Sequence, residues 1–237
     1  MDSVPESSTI DASGDGGDGE NEPFLNKDLE RLFMRWQNEK YAPEVLPFDR
    51  EVTENISEVV EFVGETLDEE RGEGNGPDPN DPDFCLRCVD LERVRYLLRD
   101  YLRVRLWKLS QWPQHYLEPA NVKLLSDAER TFLREFWGLK KGFLEHRLLG
   151  ALPVAKQNLD DKMDLLDMVR RPVLDKHVYA RLSENIGPIE VPPTYTQDTG
   201  TTPEPLTLHA GNTYLLRWPI VRKFFMDPEQ EGKVQLV

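Results

Sequence analysis

Residues 93–113 read RVRYLLRDYLRVRLWKLSQWP. Five arginines and one lysine stand against a single acid, Asp100, in a chain of formal charge −15. Helical phase sorts these cations into two sets. With Val94 as origin, Leu91, Leu97, Leu98, Tyr101, Leu102, Val104 and Leu109 fall within about 80° of it and form a wide apolar face. Arg95, Arg99 and Arg103 recur at four-residue spacing on the other side. Glu92 shares their sector and Asp100 lies just beyond it, so that stripe is partly self-neutralised. Arg105 and Lys108 differ: they project within about 20° and 40° of the centre of the apolar face. A guanidinium in that position is costly unless it is paired. Arg105 therefore predicts a carboxylate or carbonyl partner, in the chain or across an interface, and its forked geometry suits such a pair.

Working outward, the segment predicts a helix from about Phe84 to Trp112, ended by Pro113. Upstream, Leu29, Leu32, Phe33 and Trp36 share one helical face, with Asn26 as N-cap and Pro43 as stop. Val52, Ile56, Val59, Val60, Val63 and Leu67 form the face of a second helix whose glutamates line the other side. Downstream, Ser126-Asp127-Ala128-Glu129 is a capping box opening a helix that carries Phe132, Leu133, Phe136, Phe143 and Leu148 to about Gly150. Four amphipathic helices with modest connections predict a bundle. After Pro153 the period changes. Val178, Ala180 and Leu182 alternate with Tyr179 and Arg181, and the short runs IEV, PLTLHA, TYLLRW and KVQLV follow between Pro, Gly and Thr clusters. PIVRKFFM reads as one or two helical turns among them. The expected fold class is α+β. An acidic tail spans 1–23, an N-terminal helical bundle 24–153 with a loop at 71–83, a linker 154–171, and a small β-rich domain 172–237.

Charge is unevenly placed. Residues 1–25 hold seven acids and no Lys or Arg, and residues 51–83 hold twelve acids and only Arg71. These stretches carry more negative charge than the whole chain, so the remainder is slightly basic. That balance argues against the broad positive footprint of a duplex-DNA binder. Two cysteines are too few for a disulfide framework and favour a reducing compartment. No apolar run approaches the ~18 residues needed to span a bilayer.

Catalytic motifs are weak. Cys85 and Cys88 form a CxxC that follows no strand and has no further ligands at zinc spacing, so two thiols at a helix start are the simpler reading. Asp160, Asp161 and Asp164 match the DDxxD that holds magnesium and diphosphate, but the motif abuts a domain boundary, and an acidic linker is favoured. There is no phosphate-binding glycine loop and no Gly-x-Ser-x-Gly elbow. Nothing assembles a nucleophile, a base and an orienting group, so neither an enzyme nor a bound metal or cofactor is expected. Five tryptophans in so polar a chain, with aromatics on both helical faces, predict an obligate complex subunit. A single-stranded DNA-binding module is the alternative, because Tyr96 and Trp107 share the arginine face.

ERVRYLLRDYLRVRLWKL at 92–109 resembles the signature helix of the Sld-five family of subunits of the eukaryotic GINS replication complex. Trp36–Glu44 is similar to that family's first-helix ending, and LSDAERTFLREF at 125–136 to its fourth-helix start. Pro172–Arg181 and Val234–Val237 resemble the start and end of its C-terminal domain. The resemblance implies a helical A domain followed by a β-rich B domain. It also implies a non-catalytic nuclear subunit of a heterotetramer with Psf-one, Psf-two and Psf-three. That assembly joins the MCM ring and the Cdc-forty-five protein in the replicative helicase and meets the replicative polymerase. Trp36, Tyr41, Tyr101, Arg103, Arg105, Lys108 and Trp112 are the residues expected to serve partner contacts or structural pairing. The tail departs from the adaptor-docking peptide of some members, with only Val4 and Ile10 as apolar residues before Phe24.

Overall fold

The apolar stripes of the N-terminal half close around one long helix. A computed structural model describes residues 27–72, 81–163, 166–189, 206–227, 230 and 232–237. The stretch 1–23, Asn26, residues 73–80 of the loop and Asp164 lie outside these. The long helix, α3 (Pro82–Gln111), packs against α1 (Lys27–Tyr41), α2 (Arg50–Gly72) and α5 (Asp127–Arg147). It starts two residues before the expected Phe84, because Pro82 fits the first helical turn and Asp81 caps it by accepting from the Asp83 amide. Pro113 ends α3 as predicted, but it also opens a five-residue helix, α4 (Pro113–Leu117), that periodicity did not indicate. A proline at the first position of a helix forfeits no hydrogen bond. The capping box forms in full: Ser126 Oγ accepts from Glu129 N at 3.1 Å, and Glu129 Oε2 accepts from Ser126 N at 2.9 Å.

Three apolar clusters hold the bundle. Leu32, Val52, Ile56 and Tyr101 join α1, α2 and α3; Leu67, Phe84 and Leu91 close the far end of α2 and α3; and Val45, Leu109, Tyr116, Leu125 and Leu133 bring in α4 and α5. The glutamates at 51, 54, 58, 61 and 65 are exposed, as the phase of α2 predicted. Gly64 lets the Arg95 guanidinium lie across α2, where any added Cβ would collide with it. Arg95 is therefore half-buried rather than on the open stripe.

In the C-terminal half, β3 (His177–Leu182) lies between β6 (Thr213–Arg217) and β7 (Val234–Leu236), antiparallel to both. Val178, Ala180 and Leu182 point inward, the face given by the two-residue period. β4 (Ile186–Ile189) and β5 (Leu206–Leu208) form a separate ribbon, and of the IEV run only Ile189 is in a strand among the described residues. PIVRKFFM supplies two single turns, α6 (Trp218–Val221) and α7 (Lys223–Met226). A two-residue hairpin, β1 (Lys162–Met163) with β2 (Leu166–Asp167), stands inside the stretch expected to be a plain acidic linker.

The two halves share a core. Ala42 and Leu46, just after α1, belong to the same apolar cluster as the sheet and Trp218. Asn38 Oδ1 accepts from Leu236 N at 2.8 Å, which ties the last strand to α1. The Glu44 carboxylate accepts from Trp218 Nε1 at 2.7 Å and from Arg222 at 2.5 and 3.0 Å. Replacing Glu44 with Ala leaves the wholly buried Trp218 N–H without this acceptor, so Glu44→Ala is expected to cost about 2 kcal/mol in urea unfolding. Amide exchange should accelerate first in β3, β6 and β7. Unchanged protection there would show that the contact does not hold the two halves together.

Candidate functional site

The deepest polar feature is an ionic centre around Arg105, which exposes none of its surface. Arg105 donates from Nε to Glu129 Oε1 at 2.7 Å and from Nη2 to Glu129 Oε2 at 3.1 Å, a forked pair. Its Nη1 donates to Glu39 Oε2 at 2.9 Å and to the Leu46 carbonyl at 2.8 Å, and Nη2 reaches the Leu124 carbonyl at 3.1 Å. Every corner of the guanidinium is thus satisfied. The cation also lies over the rings of Phe48 and Tyr101, 5.2 and 5.6 Å from their centroids. One turn on, Lys108 Nζ donates to Glu39 Oε1 at 2.8 Å, to the Glu44 carbonyl at 2.9 Å and to the Glu39 carbonyl. Glu39, Glu44 and Glu129 face Arg105, Lys108 and Arg222, so the centre is electrically balanced.

Local sequence explains each contribution. Glu39 follows Leu32 by seven residues and so shares its inward face on α1. Glu129 serves twice, closing the capping box and clamping Arg105. Burial alone would push the Arg105 guanidinium down, but Glu39, Tyr101 and Glu129 outweigh it and hold the group well above its ordinary value. Burial pushes Lys108 down, and Glu39 only partly offsets this. Burial also pushes the Tyr101 phenol up to about 12 and raises Tyr116, whose hydroxyl accepts from Val45 N at 2.9 Å.

Of the residues singled out in the sequence, Tyr101, Arg105 and Lys108 meet in this centre. Trp112 is half-buried against the Leu109 and Tyr116 cluster. Trp36 donates from Nε1 to Asp100 Oδ2 at 2.7 Å and carries Lys40 over its ring. Tyr41 and Arg103 are exposed. Sequence reasoning missed Glu39, Glu44 and Glu129; an acid at a heptad step from Leu32 was the available signal for the first.

Two family models match separate parts of the chain. One, the GINS complex protein helical bundle domain, covers residues 59–145; the other, the DNA replication complex GINS protein SLD5 C-terminus, covers 172–237. The DNA replication complex GINS protein SLD5 of Arabidopsis thaliana is 31% identical over 229 residues, 94% of this chain and 97% of its own length. The Homo sapiens protein of the same name is 30% identical over 237 residues, 96% of this chain and 98% of its own. The chain belongs to the SLD5 family of GINS proteins. A more distant SLD5, from Schizosaccharomyces pombe, is 28% identical over 84% of this chain and 89% of its own.

On this SLD5 framework the two remaining motifs lie apart, at the start of α3 and just before β1. Cys85 and Cys88 stand in the first turns of α3 without a disulfide between them, and no group of three or more possible metal ligands occurs among the described residues. Asp160 and Asp161 lie in a bend running into β1, without the helix on which DDxxD spacing would align carboxylates; Asp164 lies outside the described residues. Arg93 pairs with Asp90 and Arg95 with Glu92, which leaves Arg99 and Arg103 as the exposed part of the stripe. The larger surface feature is apolar. Leu29, Phe33 and Trp36 of α1 and Val94, Tyr96 and Leu97 of α3 line a groove of about 820 Å³.

Arg105→Met should cost about 3–5 kcal/mol, because Glu129 stays buried without its cation and Glu39 keeps only Lys108; Arg105→Lys, which cannot clamp both carboxylates, should recover little of it in urea unfolding. Among the described residues the Tyr101 hydroxyl has no hydrogen-bond partner, so Tyr101→Phe should be neutral or stabilise by about 1 kcal/mol near neutral pH. A phenol whose folded pKa is raised contributes fully below pH 10 and loses that contribution as pH climbs toward 12. Lys108 acts with the opposite sign, since the cost of its buried charge is relieved as pH approaches 10.5. Urea midpoints should therefore fall between pH 10 and 12, and Tyr101→Phe should flatten that fall.

Proposed function

We propose that this chain is a structural, non-catalytic subunit of the GINS complex and acts in DNA replication. It assembles with Psf-one, Psf-two and Psf-three in a nuclear heterotetramer that joins the MCM ring and Cdc-forty-five in the replicative helicase and meets the replicative polymerase. The observation that carries this reading is the span of the likeness to SLD5 proteins, which covers nearly the whole chain and both of its halves. The surface agrees with it. Phe33, Tyr41, Tyr96, Trp107, Leu139 and Phe143 are all exposed, more apolar surface than a lone subunit of this charge needs to show.

In this reading the helical A domain is 24–153, the linker 154–171 and the B domain 172–237. Tyr101, Arg105, Lys108 and Trp112 fix the geometry of the A domain from inside, while Trp36, Tyr41 and Arg103 meet partners at its surface. Direct DNA contact contributes little, because the arginines of α3 are mostly consumed within the chain.

Co-expression with the three Psf subunits tests the proposal. The expected result is one stoichiometric complex on size exclusion that persists at high salt. A well-behaved monomer that ignores the three subunits, and binds single-stranded DNA with a steep salt dependence, would replace this reading with the nucleic-acid one.

A further inference from the structure

Helix α3 keeps one face that its own bundle leaves open. At 100° per residue Tyr96, Arg99, Arg103 and Trp107 fall within about 80° of one another, on the side away from Val94. Tyr96 and Trp107 are 61% and 60% exposed, and the exposed Arg99 and Arg103 form no ion pair among the described residues. Asp100, the acid bordering this face, accepts from Trp36 instead. The two guanidiniums stand one turn apart, so an anionic segment facing one also faces the other. At its start the face borders the groove of about 820 Å³ in which Leu29 and Phe33 of α1 meet Val94 and Leu97 of α3. The two helices run parallel, since Trp36 meets Asp100 and Glu39 meets Arg105. The first turn of α1 therefore opens beside that groove. Arg99 and Arg103 lie farther along, about 9 and 15 Å of helix rise past Arg93.

The segment that leads into that first turn supplies the complementary chemistry. It lies outside the described residues, and over 1–25 its sequence holds seven acids and no Lys or Arg. Read back from Lys27, its residues come in the order that α3 presents: Leu25 and Phe24 first, beside the apolar groove, then Glu22, Glu20, Asp18 and Asp15, toward the two arginines. The reach agrees as well. An extended chain covers about 3.4 Å per residue, so Glu22 and Asp18, five and nine residues before Lys27, reach up to about 17 and 31 Å from it. The chain has to reverse on entering α1, and Pro23 and Asn26 are residues suited to a turn. Tethering makes a weak contact sufficient. A segment held this close has an effective concentration on the order of millimolar, so a site of about 0.1 mM affinity is filled about nine-tenths of the time.

We infer that the N-terminal segment docks on its own chain, with Phe24 and Leu25 in the α1–α3 groove and the acids of 15–22 on Arg99 and Arg103, and so keeps polyanions such as single-stranded DNA off the exposed arginines of α3. The contact is made within one molecule and stands apart from the subunit reading; a partner that takes Arg103 displaces the segment. The test uses the full chain, purified without partners and with an untagged N-terminus. A benzophenone amino acid in place of Phe24 should crosslink to 29–36 or 93–97 of the same molecule, as mixing isotopically light and heavy chains will show. Asp15→Asn, Asp18→Asn, Glu20→Gln and Glu22→Gln together should raise affinity for a fluorescent oligothymidylate at low salt by about tenfold, the gain expected when a cover filled nine-tenths of the time is removed. Adding Arg99→Ala and Arg103→Ala should abolish that gain. Glu54→Gln, Glu58→Gln, Glu61→Gln and Glu65→Gln on α2 make the same change of charge elsewhere and should give little of it. All these positions are exposed or precede α1, so the packed core is untouched. No crosslink to α1 or α3, a crosslink only between molecules, no gain from the neutralised segment, a gain that survives loss of the two arginines, or an equal gain from the α2 substitutions overturns the inference. Recruitment of the Psf subunits, which tests the subunit reading, is a separate measurement.

Discussion

The fold depends on the clamp that Glu39 and Glu129 place on Arg105. Glu39 comes from α1, Arg105 from α3 and Glu129 from the first turn of α5, so one cation sets the mutual register of three helices. Lys108 extends the clamp to the Glu44 carbonyl, and the Glu44 carboxylate extends it to Trp218 and Arg222 beside the sheet. A buried ion pair contributes little net stability compared with well-packed apolar groups, since desolvation absorbs most of the Coulomb gain. Its effect lies in what it forbids. Sliding α5 along α3 by one turn would strand the Glu129 carboxylate and unpair one side of the Arg105 guanidinium in a dry core, a penalty that apolar packing alone would not impose. Register is therefore specified by the charges, while the surrounding Leu, Val and Ile contacts supply the stability.

That centre explains why the basic look of α3 is misleading. Of its cations in the opening stretch, two are sealed in the core and two are held by neighbouring acids. Phosphate contact needs cations that can reach solvent, and a guanidinium with five satisfied contacts to its own chain is not among them. Arg93, Arg95, Arg105 and Lys108 are spent on contacts within the chain, which leaves Arg99, Arg103 and a larger aromatic and aliphatic surface exposed.

How much of this the sequence disclosed depends on what each pattern constrains. The phase of Arg105 and Lys108 within an apolar face forced partners to exist, and the alternation at 177–182 fixed which face of β3 is inside. The partners themselves were hidden. Glu129 already had an evident task as the third residue of a capping box, and Glu39 sat in a helix end crowded with charge. Helix α4 escaped notice because Pro113 satisfies both the stop rule and the start rule. The β1–β2 hairpin escaped because two-residue strands carry no measurable period. Phe132, Phe136 and Phe143 stand with Leu133 in the periodicity of the fourth helix, but only Leu133 is fully buried: Phe136 is half-buried, and Phe132 and Phe143 are exposed.

That last case separates two questions that apolar periodicity runs together. A stripe at helical spacing states that a face is to be covered; it does not state by which chain. In α2 the stripe and the burial largely coincide: Val52, Ile56 and Leu67 lie against α1 or α3, and Val59 is the one stripe residue left exposed. In α5 they diverge after Leu133, where the helix leaves the bundle and its aromatic stripe continues in phase. The ionic centre makes that divergence possible. By anchoring the first turn of α5 through Glu129, it fixes the direction of the whole helix without requiring the distal turns to pack on their own chain. Leu139 and Phe143 are thus held at a set angle to the bundle although they stay exposed.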